Sequence, residues 1–403
     1  MVQRRWWLAA GLMAAVLVGG CGPRASVPTG PAPDYDRPLP RGRLALRRVT
    51  DSAAILDFSR AAQSQELRDA IAHSLNYLSK PSSRQYFPYG PISHDRAVAS
   101  LEAMDDLLAA GPTGEQLNAA LRRRFEVYTS VGWNGRGTVL FTGYYTPIFD
   151  ASLERTERFR YPLYRPPEGL VKGPDGEILG VRVVGGQIVD VPARAELPGS
   201  GLLVGRELVW LADPFEVYIA HVQGSARLRL PDGALMTVGY AASNGRPYKS
   251  VAKALVDDGR IPAERMSLAA MIDYFDRHPG QVAAYVDRNP RFIFFERSSG
   301  APRGSLNEPV TPMRTIATDK SVYPRACLAF LQASLPREVG GRIVSLPYSG
   351  FALDQDTGGA IRAPGRCDIY MGTGDAAGRR AGRTQTEGRL YYLFLKPRYV
   401  GDR

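Results

Sequence analysis

The chain has 403 residues, 44% hydrophobic and 23% charged, a composition that suits a folded protein of about two ordinary domains and excludes a disordered or fibrous one. A formal charge of +11 and a pI near 9.6 imply attraction to polyanions without selecting one. The basic residues are scattered apart from Arg122-Arg123-Arg124 and the stretch around Arg379, Arg380 and Arg383, the pattern of solvated faces, so nucleic acid is not expected as a partner.

Arg4 and Arg5 precede an apolar run from Trp6 to Val18, the order of a secretory signal and too short a run to span a bilayer. Leu17-Val18-Gly19-Gly20-Cys21 resembles the bacterial lipoprotein signal, with residues 1–20 removed and lipid carried on Cys21. A signal cut elsewhere, with Cys21 incidental, is the other reading. Gly22 rather than Asp follows the cysteine, which favours transfer to the outer membrane. Export implies an oxidising compartment. With Cys21 lipidated, Cys327 and Cys367 remain as an even pair, either bridged or two buried free thiols.

Residues 21–44 are rich in proline and read as an extended tether. Helical spacing follows. Leu67, Ile71, Leu75 and Leu78 form one stripe, Val98, Leu101, Met104 and Leu108 a second, and Leu117, Leu121, Phe125 and Tyr128 a third. After Gly132 the pattern becomes β-rich, with runs at 138–141, 181–184 and 215–222 and hairpin turns at Asp175-Gly176 and Asp232-Gly233. One helical island interrupts it, capped by Ser267, carrying Leu268, Met271, Ile272 and Phe275, and stopped by Pro279-Gly280. Strands resume at Phe292-Ile293-Phe294-Phe295, and short strands with Gly-rich turns run from about Thr315 to Leu395, as in a small barrel.

The four histidines lack metal-ligand spacing, and no zinc-protease, Walker or nucleophile-elbow motif occurs. Carboxylates stand out instead: Asp354, Asp356 and Asp368 alternate with apolar strand residues and glycines. Carboxyl groups embedded in that way are candidates for raised pKa values, and a protonated carboxylic acid at neutral pH is what glycosidic cleavage requires. Turn residues are the plain alternative. Asp356-Thr357-Gly358 also matches an aspartic-protease segment, though in a single copy. Asp354-Gln355-Asp356 fits the nucleophile motif of phosphoaspartyl phosphatases poorly, because Gly358 occupies the position where Thr or Val is needed.

Three segments in order carry a more specific resemblance: Ile316 to Pro324 around Asp319, Asp356-Thr357-Gly358-Gly359-Ala360-Ile361, and Asp368-Ile369-Tyr370 with Gly372. Together with Gly143-Tyr144-Tyr145-Thr146-Pro147, His221-Val222-Gln223-Gly224-Ser225, Ser243 to Tyr248 and Asn289 to Phe295, the chain resembles the membrane-bound lytic transglycosylase A family and its C-terminal three-aspartate module. The resemblance spans roughly Gly143 to Pro397. Ala226, Ser250-Val251-Ala252 and Tyr323-Pro324-Arg325 depart from the family pattern in loops near the expected groove.

The resemblance implies a mainly β fold with α-helices: a double-psi β-barrel and a smaller inserted β-barrel with a substrate groove between them. The large domain would take residues 45–148 and 291–403, and the insert 149–290. It implies cleavage between N-acetylmuramic acid and N-acetylglucosamine of peptidoglycan with 1,6-anhydro ends and no added water. Asp368 becomes the general acid and then base, Asp356 and Asp319 supporting groups, and Tyr144, Tyr145, Thr146, Gln223, Ser225, Asn244, Tyr248, Gly358 and Gly359 substrate contacts. No cofactor or metal is implied. Expected partners are glycan strands, the outer membrane through Cys21, and cell-wall synthases and amidases; a noncatalytic glycan-binding scaffold is the competing reading.

Overall fold

Strand β1 (Leu46–Arg48) precedes three helices, α1 (Gln65–Ser79), α2 (His94–Ala109) and α3 (Gly114–Arg124), in a computed structural model that describes residues 33–50, 56–59, 61, 64–174 and 176–401. The apolar stripes account for the helices: Leu67, Ile71 and Leu78 on α1, Leu101, Met104 and Leu108 on α2, and Leu117 and Leu121 on α3 are buried. Ser93 starts α2 by accepting from Arg96 N at 3.1 Å, and Thr113 with Gln116 forms a capping box on α3.

The third stripe does not continue through Phe125 and Tyr128 as a helix. Phe125–Ser130 is strand β2, whose residues 125–129 pair with Leu395–Tyr391 at the end of the chain. Aromatic and β-branched residues dominate this stretch and favour a pleated surface once a paired strand is available.

Strand β3 (Val139–Thr146) leads into the middle of the chain. There β4 (Ile148–Ser152), β5 (Tyr161–Tyr164), β6 (Leu170–Lys172), β7 (Ile178–Arg182), β8 (Ile188–Val189) and β9 (Glu207–Leu211) precede α4 (Pro214–Gln223). Next come β10 (Ser225–Arg229), β11 (Leu235–Ser243), α5 (Val251–Asp257), α6 (Leu268–Arg277), α7 (Val282–Val286) and β12 (Ile293–Ser298). Six strands order as β12-β11-β10-β4-β9-β5, with the end strands β12 and β5 packed together, and β6-β7-β8 form a separate small sheet. Phe149, Leu163, Val209, Phe215, Leu228, Val238, Phe275 and Phe295 fill this second core.

The run 215–222, expected as a strand, is helix α4. Its apolar residues suit either period, and its ends decide. Asp213 caps the helix by accepting from Phe215 N at 2.6 Å and Glu216 N at 3.1 Å, Pro214 takes the first helical position, and Gly224 closes it at φ +75°. Helices α5 and α7 flank the expected α6, so the region holds more than one helical island. Ser267 does cap α6, accepting from Ala270 N at 3.1 Å. Asp232-Gly233 turns β10 into β11, and Gly176 lies in the β6–β7 turn, where Asp175 is outside the described residues.

The C-terminal part supplies β13 (Thr315–Ala317), β14 (Leu328–Val339), β15 (Arg342–Asp356), β16 (Arg366–Thr373), α8 (Asp375–Ala381) and β17 (Gln385–Leu395). Strand order β17-β14-β15-β13-β16-β3, with β3 pairing back to β17, closes a six-stranded barrel. The β3–β16 and β13–β15 pairs are parallel and the remaining pairs antiparallel. This mixed closed barrel fits the expected double-psi architecture. Phe141, Ile316, Phe330, Phe351, Leu353, Ile369 and Tyr392 are fully buried in its core. Gln355 fastens α1 to it, donating to Ala70 O at 2.7 Å and Ser74 Oγ at 3.0 Å.

Cys327 and Cys367 are not bridged; both are free, buried thiols. Cys327 Sγ donates to Arg325 O at 3.3 Å, and strands β15 and β13 stand between β14, which follows Cys327, and β16, which carries Cys367. Burial pushes both thiols up, so they remain protonated. The chain divides after Pro33. Within the stretch expected as tether, Tyr35 already lies on the barrel, its hydroxyl donating to Glu387 Oε1 at 3.0 Å and its ring meeting Trp133 edge-on.

Candidate active site

Parallel pairing of β3 with β16 sets Leu140 beside Arg366, Thr142 beside Asp368 and Tyr144 beside Tyr370. Because strand residues alternate between faces, Thr142, Tyr144 and Thr146 share one face with Arg366, Asp368 and Tyr370, while Tyr145 falls on the other. Thr142 Oγ1 donates a short hydrogen bond to Asp368 Oδ1. Arg366 Nε lies 3.5 Å from the same oxygen, and the Asp368 side chain keeps 16% of its surface, enough for a substrate atom to reach it.

Asp356 comes to this face across β13. Ala317 is the register partner of both Asp356 and Asp368, so the two aspartates flank one short strand. Asp356 Oδ2 accepts from the Tyr144 hydroxyl at 2.8 Å, and its Oδ1 accepts from Ser305 N and Thr357 N, each at 2.8 Å. Gly304 permits this approach, since a Cβ there would stand 3.0 Å from the Asp356 carboxyl carbon. Burial raises the Asp356 carboxyl above the ordinary carboxylate range, and its donors and Lys320 only partly offset the rise. Burial and the neighbouring Asp356 charge push the Tyr144 phenol well up, so it stays a donor.

Thr146 Oγ1 is 2.9 Å from the Tyr370 hydroxyl and 3.3 Å from Ser225 Oγ, and Tyr370 also reaches Thr373 Oγ1 at 3.2 Å. This hydroxyl chain ties the end of β3 to β10 and β16. Tyr370 belongs to the third aspartate segment but is not among the expected site residues, although its place two residues after Asp368 on a strand puts it on the same face.

Two matches to models of known domains bear on this arrangement: the MltA specific insert domain over residues 140–296 and the 3D domain over 314–394. The membrane-bound lytic murein transglycosylase A of Vibrio cholerae serotype O1 is 31% identical over 278 residues, 66% of this chain and 68% of that protein. The chain belongs to the membrane-bound lytic murein transglycosylase A family. Among solved structures, the membrane-bound lytic murein transglycosylase from Agrobacterium tumefaciens is 25% identical with a TM-score of 0.74, covering 89% of this chain and all (100%) of that one. E. coli MltA with bound chitohexaose is also 25% identical, with a TM-score of 0.65 and coverage of 91% and 97%.

Other residues marked by the lytic transglycosylase A resemblance lie elsewhere. Asp319 Oδ1 accepts from Ser321 N at 2.9 Å and Ser321 Oγ at 2.6 Å, and Oδ2 from Ala363 N at 2.7 Å, so its carboxylate ties the turn after β13 to the loop before β16. Tyr145 is buried against Gly378 of α8, where a Cβ would stand 2.9 Å from the ring, and its backbone N donates to Gln223 Oε1 at 3.0 Å. Asn244 is a clamp: its amide donates to Pro192 O and Pro290 O at 2.9 and 2.8 Å and accepts from Phe292 N and Arg246 N at 2.8 and 3.3 Å. These four bonds use its amide's capacity. Tyr248 is half-buried beside Tyr218. Gly359 lies under Arg291, a Cβ there meeting Nε at 2.9 Å, and Gly358 adjoins Ile361.

Asp354 is a further carboxylate whose role the sequence left open. Two residues before Asp356 it points into the barrel, fully buried, where Lys320 pairs with it and Thr318 Oγ1 and the Tyr392 hydroxyl donate at 2.7 and 2.6 Å.

Proposed function

We propose that the chain is a peptidoglycan lytic transglycosylase in which Asp368 is the single catalytic acid and base. The observation that carries this is the exposed edge of Asp368, held by Thr142 and flanked across β13 by Asp356, within a chain of the lytic murein transglycosylase A family. Protonated Asp368 gives its proton to the oxygen leaving C1 of N-acetylmuramic acid. The C6 hydroxyl of that same sugar attacks C1, and the Asp368 carboxylate takes the hydroxyl proton, so one C–O bond breaks, one forms and the acid is regenerated. No water is activated, and a second carboxylate acting as base is unnecessary. Asp356 and Tyr144 order the neighbourhood of the acid, with Asp319 supporting through its loop. Ser225, Gly358 and Gly359 border the glycan path, and Tyr145, Thr146, Gln223, Asn244 and Tyr248 support its walls.

The relatives are named membrane-bound, and this chain is membrane-associated. Among the described residues no helix is long and apolar enough to cross a membrane. In our reading, lipid on Cys21, which lies outside the described residues, anchors the protein to the periplasmic face of the outer membrane. Residues 1–20 are then the signal, 21–44 the tether, 149–290 the insert, and 45–148 with 291–403 the large domain. Cell-wall synthases and amidases are the protein partners this location suggests.

Incubation of purified sacculi with the protein tests the activity. Mass spectrometry should find 1,6-anhydromuramoyl products; glycan binding without such products would mean a noncatalytic scaffold.

A further inference from the structure

Arg366 and Asp368 leave β16 on the same face, two residues apart. Arg366 Nε is 3.5 Å from Asp368 Oδ1, beyond hydrogen-bond reach for this geometry, and is a buried donor with no hydrogen-bond partner among the described residues. Nη1 of the same guanidinium donates to Ala360 O at 3.2 Å in the loop that joins Asp356 to β16. An unsatisfied buried N–H this close to a carboxyl oxygen is a group waiting for a stronger acceptor, and an ionised carboxylate is a stronger acceptor than a protonated one.

We propose that Arg366 is a positioning residue for the transglycosylase reaction, closing on Asp368 in the interval between its two proton transfers and stabilising the carboxylate that then takes the C6 hydroxyl proton. The inference rests on the catalytic reading of Asp368. Thr142 holds Oδ1 in either protonation state, because a hydroxyl can donate or accept. Arg366 can only donate, and so distinguishes the two states. Asp368 thereby passes from acid to base without a second carboxylate at its side.

Several other groups bear on Asp368. Tyr144 from β3 and Tyr370 on β16 share its face, Asp356 from β15 flanks it across β13, and the Cys367 thiol adjoins it in sequence. Lys320, from the turn after β13, directs its charge at Asp354 and Asp356. Among the described residues, Arg366 is therefore the cation within ion-pair distance of Asp368, and its removal should leave the aspartate harder to ionise.

The test compares wild type with Arg366→Gln and Arg366→Lys. The Asp368 carboxyl is followed by 13C NMR of aspartate-labelled protein, its resonance identified by loss in Asp368→Asn, and the pH profile of anhydro-product release is measured alongside. Arg366→Gln should raise the Asp368 titration by about one pH unit, within the range a neighbouring arginine produces. The alkaline limb of the rate profile should move up with it while the plateau rate falls about tenfold or more. Arg366→Lys should keep the titration near the wild-type position. Unchanged titration in Arg366→Gln, or equal shifts in both variants, overturns the proposal. If Arg366→Gln does not fold, Arg366→Met gives the same comparison. The NMR reading is independent of turnover, so a wild-type protein that releases no anhydro-products refutes the catalytic reading and leaves the effect of Arg366 on Asp368 separately measured.

Discussion

The Tyr144 hydroxyl donates to Asp356 Oδ2 at 2.8 Å, joining β3 to the end of β15 on the face that also carries Asp368. Tyr144→Phe keeps the ring and removes this one bond. The rate of product release should fall about tenfold, the effect of roughly 1.5 kcal/mol, with the melting temperature little changed. A variant as fast as wild type would remove Tyr144 from the ordering of the site.

Asp356 and Asp319 should separate in their effects. Asp356→Asn should slow the reaction by more than tenfold while leaving the protein at least as stable at neutral pH. The sign follows from its raised carboxyl: folding disfavours the charged form, so the associated stability is present at low pH and lost as pH rises through the folded value. Asp319→Ala loses acceptors for Ser321 and Ala363 and should cost about 1–3 kcal/mol of stability, with a smaller change in rate per folded molecule. Thermal melts paired with sacculus digestion check both, and the reverse pattern would exchange their roles.

Glu216 gives a second pH-dependent effect. Burial, with Asp213 and Asp150 nearby, raises its pKa to about 7 at the start of α4, the helix whose last residue, Gln223, holds Tyr145. A group raised in this way contributes stability that is complete below its unfolded value and lost as pH rises through about 7. Glu216→Gln should therefore raise the melting temperature at pH 8 and have little effect at pH 4. Equal shifts at both pH values would contradict the assignment.

Lipid anchoring can be read by fractionation. Wild type should follow the outer membrane, and Cys21→Ala should appear in the soluble periplasmic fraction, because each buried CH₂ of a lipid chain contributes about 0.8 kcal/mol to membrane affinity. An unmodified N-terminus on the mature protein would refute the anchor.

Much of the site is legible in the sequence because a strand places residues two apart on one face. The Asp368-Ile369-Tyr370 segment and the Gly143 to Pro147 segment each carry that alternation, and the aspartate segments lie in the order the barrel requires. What residue spacing does not disclose is the parallel pairing of β3 with β16, more than two hundred residues apart, which decides that Tyr144 rather than Tyr145 faces Asp368. Asn244 and Gln223 carry amides suited to glycans, yet backbone groups far along the chain occupy them: loop carbonyls of Pro192 and Pro290 for Asn244, and the Tyr145 N–H of β3 for Gln223. The apolar interior of α4 reads as a strand, even though Asp213-Pro214 and Gly224 mark the ends of a helix. The β2 segment reads as a helix because its partner strand lies at the far end of the chain.

Asp368→Asn on purified sacculi is the most direct test of the central claim, since the substitution keeps the shape of the side chain and can neither give nor take the proton. Release of 1,6-anhydromuramoyl products should fall by at least 10²–10⁴, on the order expected for general acid–base catalysis, while melting temperature and binding to the sacculus glycan stay at wild-type values. Release at the wild-type rate would contradict the account and move the chemistry to Asp356.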